Sequence, residues 1–400
     1  MHDEPVGSLM ALSRYRQVLT RPHVLRLLIT AMLARLPQGM SGLAVLLLLT
    51  PRVGYARAGL ATGVSVAAAG VSNVVLARAV DRFGARPVLI PSALLYAAAM
   101  VALAASSHRS YPAQLVVCVV VGLVTPPISS VSRGLWPRLL GDHDAQVIYG
   151  LEATAQELIF ICGPAAVALI AGLANARTAV VVSGLVGLVG VLAFVSAPPL
   201  GGRFGPRGAH ERRRSLLRTA VLTYALVGAC LTTGLNMTDI ATVDFVGGRR
   251  ASAAAGVVLA VWSVGSMIGG VLFGASGERV SDHGLARGVV FTAAGLAIAA
   301  LAPGSVGLAV ILLVSGITVA PTLARLYTRM GAAAPEHSTT EAFGWLAVGF
   351  LLGSFLGLTI GGAAVDAVGP RWTFVCAGCA ALGAGAVITA RGAVASSGVR

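Results

Sequence analysis

Apolar residues along this 400-residue chain come in long runs instead of following the alternation of a strand or the stripe of a surface helix. Between Gly, Pro and Arg punctuation, the runs predict helices over 24–49, 57–79, 87–106, 112–134, 147–173, 178–197, 217–246, 253–276, 287–302, 305–327, 341–365 and 372–391. Most reach the roughly 20 residues that carry a helix across the hydrocarbon of a bilayer. The ninth is short and needs a few flanking residues. The pattern predicts an all-α integral membrane protein of twelve spans.

The longest hydrophilic stretch, APPLGGRFGPRGAHERRRSLLR, lies between the sixth and seventh runs and divides them into two sets of six. The expected organisation is a tail over 1–23, one six-helix bundle over 24–197, a linker over 198–216, a second bundle over 217–392 and a tail over 393–400. Internal similarity supports the division. GLVTPPISSVSRGLWPRLLGDH from Gly122 aligns without a gap on GITVAPTLARLYTRMGAAAPEH from Gly316, setting Pro127 on Pro321. AGL at Ala58 aligns on AGV at Ala255, and the same register brings Asp81–Arg82 onto Glu278–Arg279. Repeated halves with a site between them are a common plan of secondary transporters.

Composition agrees with the pattern. The chain is 56% hydrophobic and only 11% charged, less than half the roughly 25% of a soluble protein, and its mean hydropathy is +0.85. All 29 basic residues are arginine, a codon usage that points to a GC-rich bacterial genome such as that of an actinomycete. The net charge of +14 is scattered between apolar runs and forms no nucleic-acid-binding face. With both termini cytoplasmic, 21 arginines fall on the inner side and seven outside, with Arg35 inside a span. That bias orients the chain in a plasma membrane. The N-terminus carries no cleavable signal pattern. The five cysteines lie in apolar runs without accompanying His or acid, and no histidine lies within a span, so neither metal nor cofactor is expected. No phosphate-binding GxxxxGK[ST] loop occurs, which removes support for ATP-driven transport.

Ionisable residues inside a bilayer are costly and are functional candidates by default. Arg35 lies 11 residues into the first span and Glu157 about 10 into the fifth, which places both about 16 Å deep. The two are expected to face a central cavity, paired or bridged by water, with Glu157 the proton carrier; the alternative is a structural ion pair. Asp239 and Asp244 lie in the outer part of the seventh span. Asp239 could bind a cation or a substrate amine, or carry a proton, whereas Asp244 reads as a wetted helix end. Glu152 and Glu341 fall near inner span ends, where they either cap helices and pair with loop arginines or act with Arg133, Arg325 and Arg329 in an inner gate.

Two local patterns carry a family resemblance. The stretch ARAVDRFGARPVL, with Asp81, Arg82, Gly84 and Leu89 in place and Arg86 for a lysine, resembles the loop signature of the major facilitator superfamily. A weaker second copy, GASGERVSDHG, keeps Gly274, Glu278 and Arg279. GLEATAQELIFICGPAAVA resembles in part the span-five signature of that family's proton-driven exporters: Gly150, Gly163 and Pro164 match, while Ile159, Val167 and Ala168 replace glycines. Gly163–Pro164 would equally kink a packed helix. The span-four arginine of many drug exporters is missing. The resemblance implies two pseudo-symmetric bundles working by alternating access, a monomer in the lipid bilayer, and a small organic or amphipathic substrate exported on the proton gradient, as in actinobacterial exporters. It also implies that Asp81, Arg82, Gly84 and Arg86, with Glu278 and Arg279, form a conformational latch. Uptake or facilitated diffusion is the alternative. A membrane enzyme or scaffold would want a polar catalytic cluster or a large extramembrane domain, and the sequence offers neither.

Overall fold

The computed structural model describes residues 20–106, 110–140, 142–197, 219–247, 254–276, 280–333 and 339–397. Helix occupies the body of every apolar run. In chain order the helices are α1 (Val24–Phe83), α2 (Ala85–Ala105), α3 (Tyr111–Leu123), α4 (Ile128–Leu140), α5 (Asp142–Leu173), α6 (Ala176–Val195), α7 (Thr219–Gly247), α8 (Ala254–Ser276), α9 (Asp282–Ile298), α10 (Ser305–Gly316), α11 (Val319–Ala333) and α12 (Thr339–Ser397). A single 3₁₀ turn, Ala299–Leu301, extends α9.

These elements differ from the apolar runs in an instructive way. α1 (60 residues) and α12 (59 residues) are each long enough for two membrane crossings, and each folds back at one glycine in the left-handed region, Gly54 (φ 77°, ψ 171°) and Gly369 (φ 81°, ψ 171°). A side chain would disfavour those angles, so each helix has two limbs. Conversely, the fourth and tenth runs are each split. Between α3 and α4 lie Pro126 and Pro127, which lack N–H donors and bias the preceding residue away from helix. Between α10 and α11, Ile317 and Thr318 make only tightened bonds to Val314 O and Ser315 O. The two interruptions stand at equivalent places of the aligned repeat.

The helices pack as two groups, α1–α6 and α7–α12, meeting where α1 lies on α12 and α5 on α8. One large core runs through both groups, and a smaller cluster around Trp136, Leu89 and Phe194 fills one end of the first. Large aliphatic side chains nevertheless stand outside, among them Leu173 (81% exposed) and Val306 (80%). An apolar belt of that kind belongs in lipid. The end of the bundle bearing Gly54 and Gly369 is called the far end below, and the opposite one the terminal end.

Candidate functional site: a cavity between the halves

Between the two groups lies a cavity of about 510 Å³ lined from α1, α3, α5, α7, α8, α11 and α12. Its volume suits a drug-sized molecule. The wall is mostly aliphatic and aromatic, with Leu43, Leu46, Trp262 and Phe350 prominent. Among the described lining residues Asp239 is the one carboxylate, and no arginine or histidine appears. It lies eight residues from the far end of α7, about 12 Å along the axis. No hydrogen bond or ion pair among the described residues reaches its side chain. One turn away, Asn236 donates to Thr232 O (2.8 Å) and Ser354 Oγ (3.3 Å), linking α7 to α12 and presenting amide and hydroxyl groups beside the acid.

Between the far end and mid-depth the halves touch closely. Ser263 Oγ donates to Phe160 O at 3.2 Å. A Cβ on Gly63 would stand 3.1 Å from Phe355 O, and one on Gly256 2.5 Å from Pro164 O. Gly163 meets the first limb of α1 at Gly39, where a Cβ would come within 2.5 Å of the Gly39 carbonyl carbon. The Gly163–Pro164 pair is therefore a crossing point: its glycine packs on α1 and its proline carbonyl packs on α8.

Arg35 is not a cavity residue. It is 1% exposed, and its guanidinium donates to Glu152 Oε1 at 3.1 Å and to Ser132 Oγ. Glu152, also 1% exposed, accepts from Ser132 Oγ at 3.0 Å and Trp136 Nε1 at 2.9 Å as well, and Arg133 Nε lies 3.7 Å from its other oxygen. Among the described residues, Arg35 is thus joined to Glu152. The reason is helix length: α5 begins at Asp142, five residues before its apolar run, which sinks Glu152 10 residues into the helix, level with Arg35. The cluster ties α1, α4 and α5 together inside one half. Glu157 lies in α5, three residues before the cavity-lining Phe160, and its side chain is outside the described residues.

Several of the remaining candidates make bonds inside their own halves. Arg329 makes a two-pronged bond with Asp282 (2.7 and 2.9 Å), and Tyr224 Oη donates to the same carboxylate at 2.7 Å. Arg325 lies over the Phe273 ring, 4.3 Å from its centroid. Gly84 takes φ 94° and gives its N–H to Val80 O (2.8 Å), forming the sharp join of α1 to α2 for which a glycine is suited. Beside it Arg86 Nε donates to Val195 O at 3.0 Å, and Arg82 lies over the Phe83 ring. The side chains of Asp81 and Glu341 are outside the described residues, as are Glu278 and Arg279 entirely. Two acids to which the sequence alone assigns no role, Asp282 and Asp366, take one in the structure. Asp366 falls one residue beyond the run 341–365; its charge ended the apolar window.

A helical bundle with a lipid-facing belt, split into two groups around a central, largely apolar cavity, defines a multi-pass transporter of small molecules. Comparison with known proteins makes the class specific. The profile of the Major Facilitator Superfamily matches residues 27–275, and the chain belongs to that family of non-enzymatic membrane transporters. Among solved structures it is similar to a point mutant of the nucleoside transporter NupG, with a TM-score of 0.71 at 16% identity over 92% of this chain and 98% of that one. It is equally similar, at 0.71 and 14% identity over 97% of both chains, to a bacterial homologue of the human lysosomal transporter Spinster in an inward-facing, unoccupied conformation. A POT family transporter in complex with 5-aminolevulinic acid also scores 0.71, at 10% identity over 91% of this chain and 95% of that one. No curated protein matches the sequence.

Proposed function

We propose that the protein exports a small, hydrophobic, singly cationic compound in exchange for protons, by alternating access of a central site. The observation that carries this reading is the unpartnered Asp239 carboxylate in a cavity whose described wall offers no balancing base. A lone anion in an apolar site is costly unless it is neutralised. A proton or an organic ammonium ion can each do so, and they exclude one another. Exchange of one for the other across the membrane is antiport. Asn236 and Ser354 would orient the cationic head, and Leu43, Leu46, Trp262 and Phe350 would hold the apolar body.

In this reading the chain crosses the membrane twelve times as a monomer in the plasma membrane, with both termini in the cytoplasm, where the arginine bias puts them. The far end is then the outer side, and its close cross-half contacts make this the state closed to the outside. The turn at Asp81–Arg86 serves as the latch of the opposite, outward-facing state, with Glu278 and Arg279 its weaker counterpart. Glu157 remains a second candidate proton carrier, and Arg133, Arg325 and Glu341 remain candidates for the inner gate. The test is flux of ethidium, a singly charged aromatic cation, in proteoliposomes with and without an imposed pH gradient. Uptake into vesicles acidic inside, abolished when the gradient is collapsed, is expected. Flux indifferent to the gradient would contradict proton coupling.

A further inference from the structure

The turn at Gly54 does more than reverse the chain. A new helix limb starts with backbone N–H groups that have no acceptor inside it. At Tyr55 and Ala56 those donors are taken by a carboxylate of the other half: Ala56 N donates to Asp366 Oδ2 at 2.7 Å and Tyr55 N to Asp366 Oδ1 at 3.2 Å. Asp366 lies on α12 just before its own turn at Gly369. A second acid of the same half acts on the same residue, since the Tyr55 side chain interacts with Asp244 of α7. Tyr55 is 1% exposed, so this contact is enclosed.

Gly54 is shaped for the arrangement. Besides its φ of 77°, a Cβ there would stand 3.0 Å from Asp366 Oδ2, tight enough to push the carboxylate back. The twin turn supplies a control within the molecule. Gly369 has nearly the same angles but open space around it, with nothing within 4 Å of a Cβ. Arg371, close behind it, donates to Ala300 O and Ala302 O of its own half. The acid is therefore no requirement of the turn. It reaches the limb that starts behind Gly54 from the opposite half, and it sits where the positive end of a helix dipole favours an anion.

We infer that Asp366 and Asp244, closing on Tyr55 and Ala56, form a far-end clamp that holds the two halves together and sets the balance between the two access states. The inference rests on the alternating-access reading. Separating the halves at the far end would break two hydrogen bonds to one carboxylate together, along with the interaction of Tyr55 with Asp244.

The clamp is tested by spin-label distance measurements on the full chain in nanodiscs, with the five native cysteines replaced by alanine. One label pair, at Leu173 and Val306, spans the far end away from the clamp; a second, at Phe83 and Thr328, spans the terminal end. Asp366→Ala should raise the population with the far pair apart by about tenfold, the loss expected for charge-assisted hydrogen bonds, and should draw the terminal pair together to the same extent. Asp366→Asn, which keeps the shape, should give a smaller shift of the same sign, and Gly54→Ala should follow Asp366→Ala. Lengthening of the far pair without shortening of the terminal pair would mean local loosening and would overturn the clamp. Unchanged distances in all three variants would overturn it too, provided that wild-type protein still exchanges between the two arrangements when ethidium or pH is varied. Wild-type distances that never exchange would instead defeat the alternating-access reading itself.

Discussion

Glu152 and Asp239 are both acids set deep in apolar helices, and their surroundings are opposite. Glu152 accepts from an arginine, a serine and a tryptophan, with a second arginine at the edge. Asp239 faces a cavity with no partner among the described residues. The first is consumed by the fold; the second is left available to whatever enters. An acid within a membrane is costly in either case, so rarity alone does not separate the structural acid from the working one. Its donors do.

The largest expected effect comes from breaking the paired site. Glu152→Gln leaves Arg35 charged and buried without its counterion, a loss of about 3–5 kcal/mol, to be read as a marked fall in thermal stability in detergent. The double replacement Arg35→Met with Glu152→Leu removes both charges and should restore much of that loss; equal loss in single and double variants would show that the pair is not the reason for the cluster. Asp282 is an intermediate case, bound by Arg329 and Tyr224 but only partly buried. Asp282→Asn should cost about 0.5–1 kcal/mol and leave flux intact, and a larger loss would place it with Glu152. At the low end, Asp239→Asn should leave thermal stability unchanged or slightly raised while abolishing flux. A fall like that of Glu152→Gln would mean that Asp239, too, is structural.

Much of the architecture is legible in the chain because a bilayer demands long apolar helices, and their spacing, the Pro127–Pro321 repeat and the Gly84 turn all express that demand in composition. What is not legible is how far a helix continues past its apolar stretch. The segment Asp142–Gln146 is polar, so hydropathy begins the helix at Val147, yet acids favour a helix N-terminus, and α5 starts at Asp142. Those five residues set Glu152 at the depth of Arg35, where the two side chains meet. Asp366 is hidden in the same manner at the end of its run. Asp239 can be placed in the outer part of its span from sequence, but its lack of partners is a tertiary fact. It depends on what α8, α11 and α12 bring to the far side of the cavity.

The central claim is that the Asp239 carboxylate receives the cation. It is tested most directly by the binding of tetraphenylphosphonium to purified protein at about pH 6 and about pH 8, for wild type and for Asp239→Asn. A carboxylate that must be ionised to bind a cation predicts tighter binding at the higher pH for the wild type, and at least about tenfold weaker, pH-independent binding for the variant, the order expected for a lost charge pair in an apolar site. Equal affinity in the two proteins, with the same pH dependence, would contradict the account.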